Sequence, residues 1–354
     1  MILYDFSSLM HRAVFSAVKS VNPHKKDKKY VTDEFIGLAI HRILSEILDT
    51  QTQYSKKYKD IVICFDDHSR KYWRKELYPD YKAQRKVVRE ESEIDYESVF
   101  KHLNVLSKVI DDYTPWRSFS VQGAEADDLI AVLTRKFAPF EPVLIHSPDK
   151  DMIQLHKYGE VVQWSGLTNK FVTHDDKGPE WEIEHVALGD ASDNVPKITD
   201  NSVFSDNFKQ YLNSKNIKMT EYEFNKLSDK SFMSDYDVLN KKGHLDVFNN
   251  PRFGMSTLHK EIKRHGSLDA FLDSNPIYRL NYERNKILVL ESGIPAKIEA
   301  NILVRFNQSK TDFEFDKLER YLKHYNLNTL INDFRVLYDA NSKIVELTVE
   351  NCGF

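Results

Sequence analysis

Three short apolar runs in the first half of the chain each stop at an acid. Met1-Ile2-Leu3-Tyr4 runs into Asp5, Ile61-Val62-Ile63-Cys64-Phe65 into Asp66, and Val143-Leu144-Ile145 is followed by Asp149 and Asp151. Continuous apolar runs of this length read as strands buried on both faces. Between them lie stretches of helical periodicity, Phe35 to Leu48, Val99 to Ile110 and about Glu125 to Phe137, with a further short strand over Ser118 to Val121. This alternation predicts an α/β fold with a mainly parallel central sheet flanked by helices. Ligands of such sheets bind beyond the carboxyl ends of the strands, where these acids fall.

After about Pro196 the chain turns polar, lysine-rich and largely helical, which predicts a helical C-terminal subdomain. The expected division is an α/β domain over 1–196 that includes a basic segment at 68–98, then a subdomain over 197–354. Periodicity is weak from 198 to 250 and supports no assignment, while "KIVELTV" in the tail reads as strand-like. At 354 residues, 41% hydrophobic and 29% charged, the composition is that of an ordinary soluble chain with room for two domains. Interrupted apolar runs predict no membrane span, and the N-terminus lacks a signal-peptide layout. Two cysteines, Cys64 and Cys352, without zinc spacing point to a reducing, cytoplasmic compartment.

The acids pool at one edge. Besides Asp5, Asp66, Asp149 and Asp151, Glu125, Asp127 and Asp128 crowd a helix start in "GAEADDLIAVL", and Asp190 and Asp193 sit in "LGDASDNVP". Each group alone has a plain explanation: a solvated turn, charge compensation at a helix N-terminus, an Asx-turn. Gathered in one cleft they could not all stay ionised without cations. Oxygen donors without Cys or His select Mg²⁺, with Mn²⁺ possible, and this many predict two ions, one activating water and one stabilising a leaving oxygen. His146 lies close by but reads as a packed or supporting residue.

The net charge of −4 hides a zone of opposite sign: Arg70 to Arg89 carries eight Lys or Arg against two acids. Lys71, Arg74, Lys75, Lys82, Arg85, Lys86 and Arg89 are interleaved with Tyr72, Trp73, Tyr78 and Tyr81, a pattern suited to phosphate contacts and base stacking on a single strand. The plainer reading is a lysine-rich solvated face with its aromatics packed inward. Beside an acidic site, recruitment of a polyanion is favoured.

In order, "YDFSS", "ICFDD", "YWRKELYPDYKAQR", "GAEADDLIAVL", "SPDKDMIQL" and "LGDASDNVP" resemble the motifs of flap endonucleases and bacterial or phage 5′-nucleases, over roughly the first 196 residues. "HKYGEVVQWS" and "YERNKILVLESGIPAKIEANIL" extend the likeness toward phage members with ribonuclease H activity. The resemblance implies a PIN-like 5′-nuclease fold and a metal-dependent 5′→3′ enzyme. It would cleave RNA–DNA hybrids, 5′ flaps or duplex DNA ends, remove RNA primers during replication, and work as a monomer in the host cytoplasm if phage-encoded. It places Asp5, Asp66, Glu125, Asp127, Asp128, Asp149, Asp151, Asp190 and Asp193 at the metal sites, the last two serving the second ion more. Lys82 and Arg85 fall where the scissile phosphate is contacted, and Tyr81 and Lys86 in the arch around the 5′ strand. "RFGMSTLHKEIKRHGSLDAFL" (Arg252 to Leu272) resembles the family's helix-hairpin-helix, giving Gly254, Ser256 and Lys260 a duplex-binding role within a hairpin element at 251–272. Arg252 replaces a usual glycine and about fifty residues separate the hairpin from "GDASDN", which puts the family's K⁺ site in question. A single-strand binding protein and a sliding clamp are implied as partners.

Three other readings compete. Phosphatases on similar sheets place Asp-x-Asp after the first strand, where this chain has Asp5-Phe6-Ser7. PIN-type ribonucleases share sheet and acids but are normally shorter and lack the basic segment. A catalytically silent, structure-specific DNA-binding protein would lack some of the acids, and none is missing.

Overall fold

The computed structural model describes residues 1–21, 32–85, 89, 91–92, 94–173, 180–199, 253–309 and 313–352. They fall into two compact units. One comprises Met1–Ser69, Arg89–Thr173 and Lys297–Phe354, the other Arg70–Val88 and His174–Ala296. Both are discontinuous in sequence, so the contact division does not follow a single cut near 196.

The first unit is built on a six-stranded sheet: β1 (Ile2–Asp5), β2 (Ile61–Cys64), β3 (Arg117–Phe119), β4 (Val143–His146), β5 (Val161–Ser165) and β6 (Lys170–Val172). Their order is β3-β2-β1-β4-β5-β6, with every pair parallel except β5–β6. The chain winds outward from β1 through β2 to β3, then resumes on the other side of β1 with β4. That reversal is the topological switch point of an open parallel sheet, the place where ligands sit.

Strand side chains alternate between faces. Register partners Ile2, Ile61 and Leu144, with Tyr4 and Ile63, enter a core formed with α1 (Phe6–Val21), α2 (Asp33–Tyr54) and α4 (Tyr96–Tyr113). Leu318 and Leu322 of α11 (Phe315–His324) complete this core with Leu330, Ile331 and Phe334. Register partners Leu3, Val62 and Ile145 point the other way and are fully buried. α5 (Ala126–Phe137) packs on β1, β2 and β4. It is met by α10 (Ala296–Gln308) through Phe137–Phe306 and the Arg135–Glu299 ion pair at 2.6 Å.

Two local expectations change, and one helix was not foreseen. The tail is not a strand: α12 runs from Asn328 to Cys352 and includes "KIVELTV". Its first turns are docked by Leu330, Ile331 and Phe334, and extending a nucleated helix outweighs the weak strand preference of Ile, Val and Thr. The strand expected at Ser118 to Val121 ends at Phe119. Helix α1 begins directly at the end of β1, with no linker to announce it.

The second unit contains α3 (Trp73–Leu77), α6 (Glu180–Leu188), α7 (Met255–His265), α8 (Leu268–Asp273) and α9 (Pro276–Val289). α3 ends ahead of Pro79, as a proline without an amide proton requires. α7 and α8 form the expected hairpin, turned at Gly266, whose φ of 85° a side chain would resist. Arg252 lies outside the described residues. Ala187, Ile198, Phe253, Leu258, Phe271 and Leu272 close this part of the unit around one apolar cluster. Among the described residues no helix is long and apolar enough to cross a membrane.

Candidate active site

Asp5, Asp66 and Asp149 sit at strand-to-helix junctions of the first unit and accept hydrogen bonds there. Asp5 ends β1 and caps α1: Ser8 N donates to its Oδ1 at 3.0 Å, and Ser8 Oγ to its Oδ2. Ser147 Oγ also donates to Asp5 Oδ2, at 3.0 Å, and accepts from Asp149 N at 3.2 Å. That serine ties the ends of β1 and β4 together across the switch point. Asp66, two residues past β2, accepts from Ser7 Oγ at 2.5 Å and from Ala126 N, the first helical amide of α5, at 2.8 Å. Asp149 accepts from Asp151 N at 2.9 Å and starts a 3₁₀ helix over Lys150–Tyr158. Gln163 Nε2 on β5 fixes the turn by donating to the Ser147 and Asp149 carbonyls at 2.9 and 2.6 Å.

The helix acids divide by burial. Glu125 and Asp128 are buried, and Asp128 Oδ2 accepts from Glu125 N at 3.0 Å in a capping contact, whereas Asp127 is half-exposed. Asp66 and Asp67 divide as well. Burial would raise the Asp67 carboxyl, but bonds from Ser69 and the Gly123 amide outweigh it and pull it below the usual range. Asp67 thus orders the loop.

The electrostatics record the crowding. Burial pushes the Asp5 carboxyl up and the charge of Asp66 adds to it, against the pull of Ser8 and Ser147. The Cys64 thiol, register partner of Asp5, is raised well above its ordinary value by burial and then by Asp5 and Asp127. His146 faces the opposite side of the sheet, stacked on Tyr4 at 4.5 Å and 3.3 Å from Glu46. Burial, followed by the Arg12 charge, pushes it down to about 3. The Glu46 contact is therefore made by a neutral ring, and His146 is a packing residue.

In the second unit the loop from Gly189 to Val195 carries the other two acids. Gly189 has φ +67°, and a Cβ there would collide with the Val195 and Pro196 carbonyls. The loop closes through Asp190 N to Val195 O at 2.9 Å and the reciprocal bond at 2.7 Å. Asp190 accepts from Ser192 N at 2.6 Å, an Asx-turn. Asp193 is held by the basic segment. Arg85 Nη2 donates to its Oδ1 at 2.7 Å, and its Oδ2 takes the Tyr81 hydroxyl at 2.8 Å and Lys82 Nζ at 3.4 Å.

The aromatics of the basic segment are not a stacking platform. Tyr72, Trp73, Tyr78 and Tyr81 are all buried, the last two in a cluster with Val186, Val195 and Leu288 to Leu290. Their apolar area favours a core wherever one is within reach. Arg74 is buried too, donating Nε to the Leu288 carbonyl at 2.8 Å, with its guanidinium 4.4 Å from the Trp73 ring. Lys71, Arg85, Ser256 and Lys260 are exposed, Lys75, Arg89 and Gly254 are half-buried, and Lys86 lies outside the described residues. Gly254 caps α7 in an extended conformation, and its carbonyl accepts from Leu258 N at 2.9 Å.

Residues 1–180, just over half of the chain, match the family model described as the 5′-3′ exonuclease N-terminal resolvase-like domain. The chain belongs to the 5′-3′ exonuclease family. The ribonuclease H of Enterobacteria phage T4 is 30% identical over 260 residues, covering 67% of this chain and 81% of that protein. A 5′-3′ exonuclease of Mycoplasmopsis pulmonis is 26% identical over 250 residues, 66% and 72% of the two chains. The flap endonuclease Xni of Vibrio campbellii is 36% identical over 125 residues, 34% and 40%. A solved structure of the T5 D15 protein co-crystallised with metal ions matches with a TM-score of 0.49 and 16% identity, over 92% of this chain and 98% of that one. The family assignment rests on the sequence matches.

In this member of the family, Asp5, Asp66 and Asp149 leave three adjacent strands, and Asp127 lies close enough to raise the thiol at the end of β2. Residues not anticipated from sequence are Ser7, Ser8, Ser147 and Gln163, which aim those carboxylates. "DFSS" and "HSPD" contain the signal, a serine within three residues of each acid, on the pattern of a helix cap.

Proposed function

We propose that this chain is a divalent-metal-dependent 5′-nuclease that hydrolyses phosphodiesters of RNA–DNA hybrids, 5′ flaps and duplex ends, removing RNA primers during replication. The observation that carries the reading is the junction of Asp5, Asp66 and Asp149 at the switch point, with Asp5 pushed up by burial and by its acidic neighbour. An all-oxygen donor set whose members repel one another suits a hard cation. Asp5, Asp66, Glu125, Asp127, Asp128, Asp149 and Asp151 would hold Mg²⁺ or Mn²⁺, with Asp190 and Asp193 assigned to a second ion, and the ions would supply an activated water and stabilise charge on the leaving oxygen.

The chain's own groups do the rest. Ser7, Ser8 and Ser147 fix the direction of the Asp66 and Asp5 carboxylates through hydroxyl and amide donors, so the oxygens are preorganised. Lys82 and Arg85 supply positive charge for the scissile phosphate, and exposed Lys71 and half-buried Lys75 extend it along the strand. Ser256 and Lys260, on the exposed side of α7, would meet the duplex backbone. Replication partners such as a single-strand binding protein and a sliding clamp follow from the resemblance alone.

The test is cleavage by the purified chain of a 5′-labelled RNA–DNA hybrid and a 5′-flap duplex, with Mg²⁺ and with EDTA. Metal-dependent release of 5′ fragments is expected. Binding without cleavage would favour the silent structure-specific DNA-binding protein.

A further inference from the structure

Lys82 and Arg85, the cations proposed to meet the scissile phosphate, already hold an anion. The carboxylate of Asp193 is shared among Arg85 at 2.7 Å, the Tyr81 hydroxyl at 2.8 Å and Lys82 at 3.4 Å. The Lys82 and Asp193 side chains are only 9% and 13% exposed, so this contact is poorly screened by water. The pairing is delivered by the backbone. Lys82 N donates to the Asp193 carbonyl at 2.8 Å, Asn194 Nδ2 to the Asp80 carbonyl at 2.8 Å, and Gln84 Nε2 to the Ala191 carbonyl. Lys82 itself sits at φ 56° and Asn194 at φ 59°, left-handed conformations that a lysine adopts only when its surroundings impose them. Two loops over a hundred residues apart in sequence are thus zipped so that one carboxylate lies between two cations and a hydroxyl.

We propose that Asp193 is a resident surrogate for the substrate phosphate, closing the Tyr81–Lys82–Arg85 cradle in the free protein and yielding it to a phosphodiester on binding. A carboxylate and a phosphodiester each present two oxygens that share one negative charge to Lys and Arg, so the exchange keeps both cations paired throughout. Its cost falls on every nucleic acid, and only one whose duplex and 5′ strand are held by other contacts recovers it. Asp193 therefore acts as a positioning and selectivity residue that suppresses non-specific backbone binding. The inference rests on the reading of Lys82 and Arg85 as phosphate contacts.

The test uses the full-length chain in EDTA, which removes any metal role of Asp193, and a fluorescein-labelled duplex with a 5′ single-stranded tail. Asp193→Asn keeps an oxygen for Tyr81 but not the charge. It should tighten binding about tenfold, the worth of one partly buried ion pair, and steepen the salt dependence by about one freed cation. Asp190→Asn, which removes a nearby charge that the cradle does not hold, should tighten it less than about threefold. In a Lys82→Ala/Arg85→Ala background the Asp193→Asn gain should disappear. Equal gains from Asp193→Asn and Asp190→Asn, or a gain that survives in that background, overturn the surrogate role and leave the nuclease reading intact. Should Lys82→Ala/Arg85→Ala bind as tightly as the parent, both the surrogate and the phosphate-contact assignment fail. Thermal melts of each variant identify any that is merely unfolded.

Discussion

Asp5 and Asp193 are both hydrogen-bonded carboxylates in loops that follow regular structure, but their donors differ in kind. Asp5 takes the neutral Ser8 and Ser147 and faces the acid Asp66, while Asp193 takes an arginine, a lysine and a tyrosine. Neutral donors orient a carboxylate without supplying an opposite charge, so Asp5 is left facing the charge of Asp66. Cationic donors orient and discharge it together, so the charge of Asp193 is matched while the cradle is closed. One residue type thus serves two purposes, set by its partners.

The comparison breaks first, and most severely, at the strand-end acids. Asp66→Ala or Asp149→Ala should lower cleavage of the labelled hybrid by about a hundred- to a thousandfold, the scale on which one preorganised charged group acts. Full activity in either variant would falsify the site.

The second prediction concerns folding. Asp193→Ala, melted in EDTA, should lose about 2 kcal/mol, because a nearly buried lysine is left without its carboxylate while the half-exposed arginine is served by water. Chemical denaturation measures this, and an unchanged midpoint would mean that the cradle contributes nothing to the free fold.

What could be read beforehand follows from where the physics is local. Strand-ending acids such as Asp5 and Asp66, and helices with one apolar stripe such as α2 and α4, declare themselves in a few consecutive residues. Helix α1 was hidden because Asp5 belongs to a strand and caps a helix at once, leaving no turn residues between them. The aromatics around Tyr78 and Tyr81 were misleading because their packing partners, Val186 and Leu288 to Leu290, lie more than a hundred residues away. So was Asp193, whose three donors come from the basic segment that the sequence reads as a contact for the substrate strand. Long-range pairing carries no local signature, and it decides whether a cationic stretch is open or closed.

His146 sharpens the comparison with a third kind of contact, a titratable ring beside an acid that stays uncharged. Its folded value, near 3, lies below the unfolded one, so only the unfolded chain takes up a proton between roughly pH 6.5 and 3. Stability should fall as pH drops through that window, by about 1.2 kcal/mol between pH 7 and 5.5 from this group alone. His146→Gln should flatten that slope in denaturation curves taken at the two pH values. An unchanged slope would mean the ring is protonated in the fold and paired with Glu46.

The smallest effect tests the sign of the contrast directly. Asp5 is raised, so its folded value exceeds its unfolded one. It costs stability at neutral pH, and that cost is relieved as pH falls through the folded value toward the unfolded value of about 4. In EDTA at pH 7, Asp5→Asn should therefore stabilise the fold, opposite in sign to Asp193→Ala, and the gain should vanish near pH 4. Millimolar Mg²⁺ should reverse the ranking, because the parent gains stability from an ion that the variant holds less well. A calorimetric scan of both proteins at pH 7, with and without Mg²⁺, reads all of this. If Asp5→Asn melts lower than the parent in EDTA, its serine bonds outweigh the repulsion from Asp66, and the strand-end acids are structural caps first.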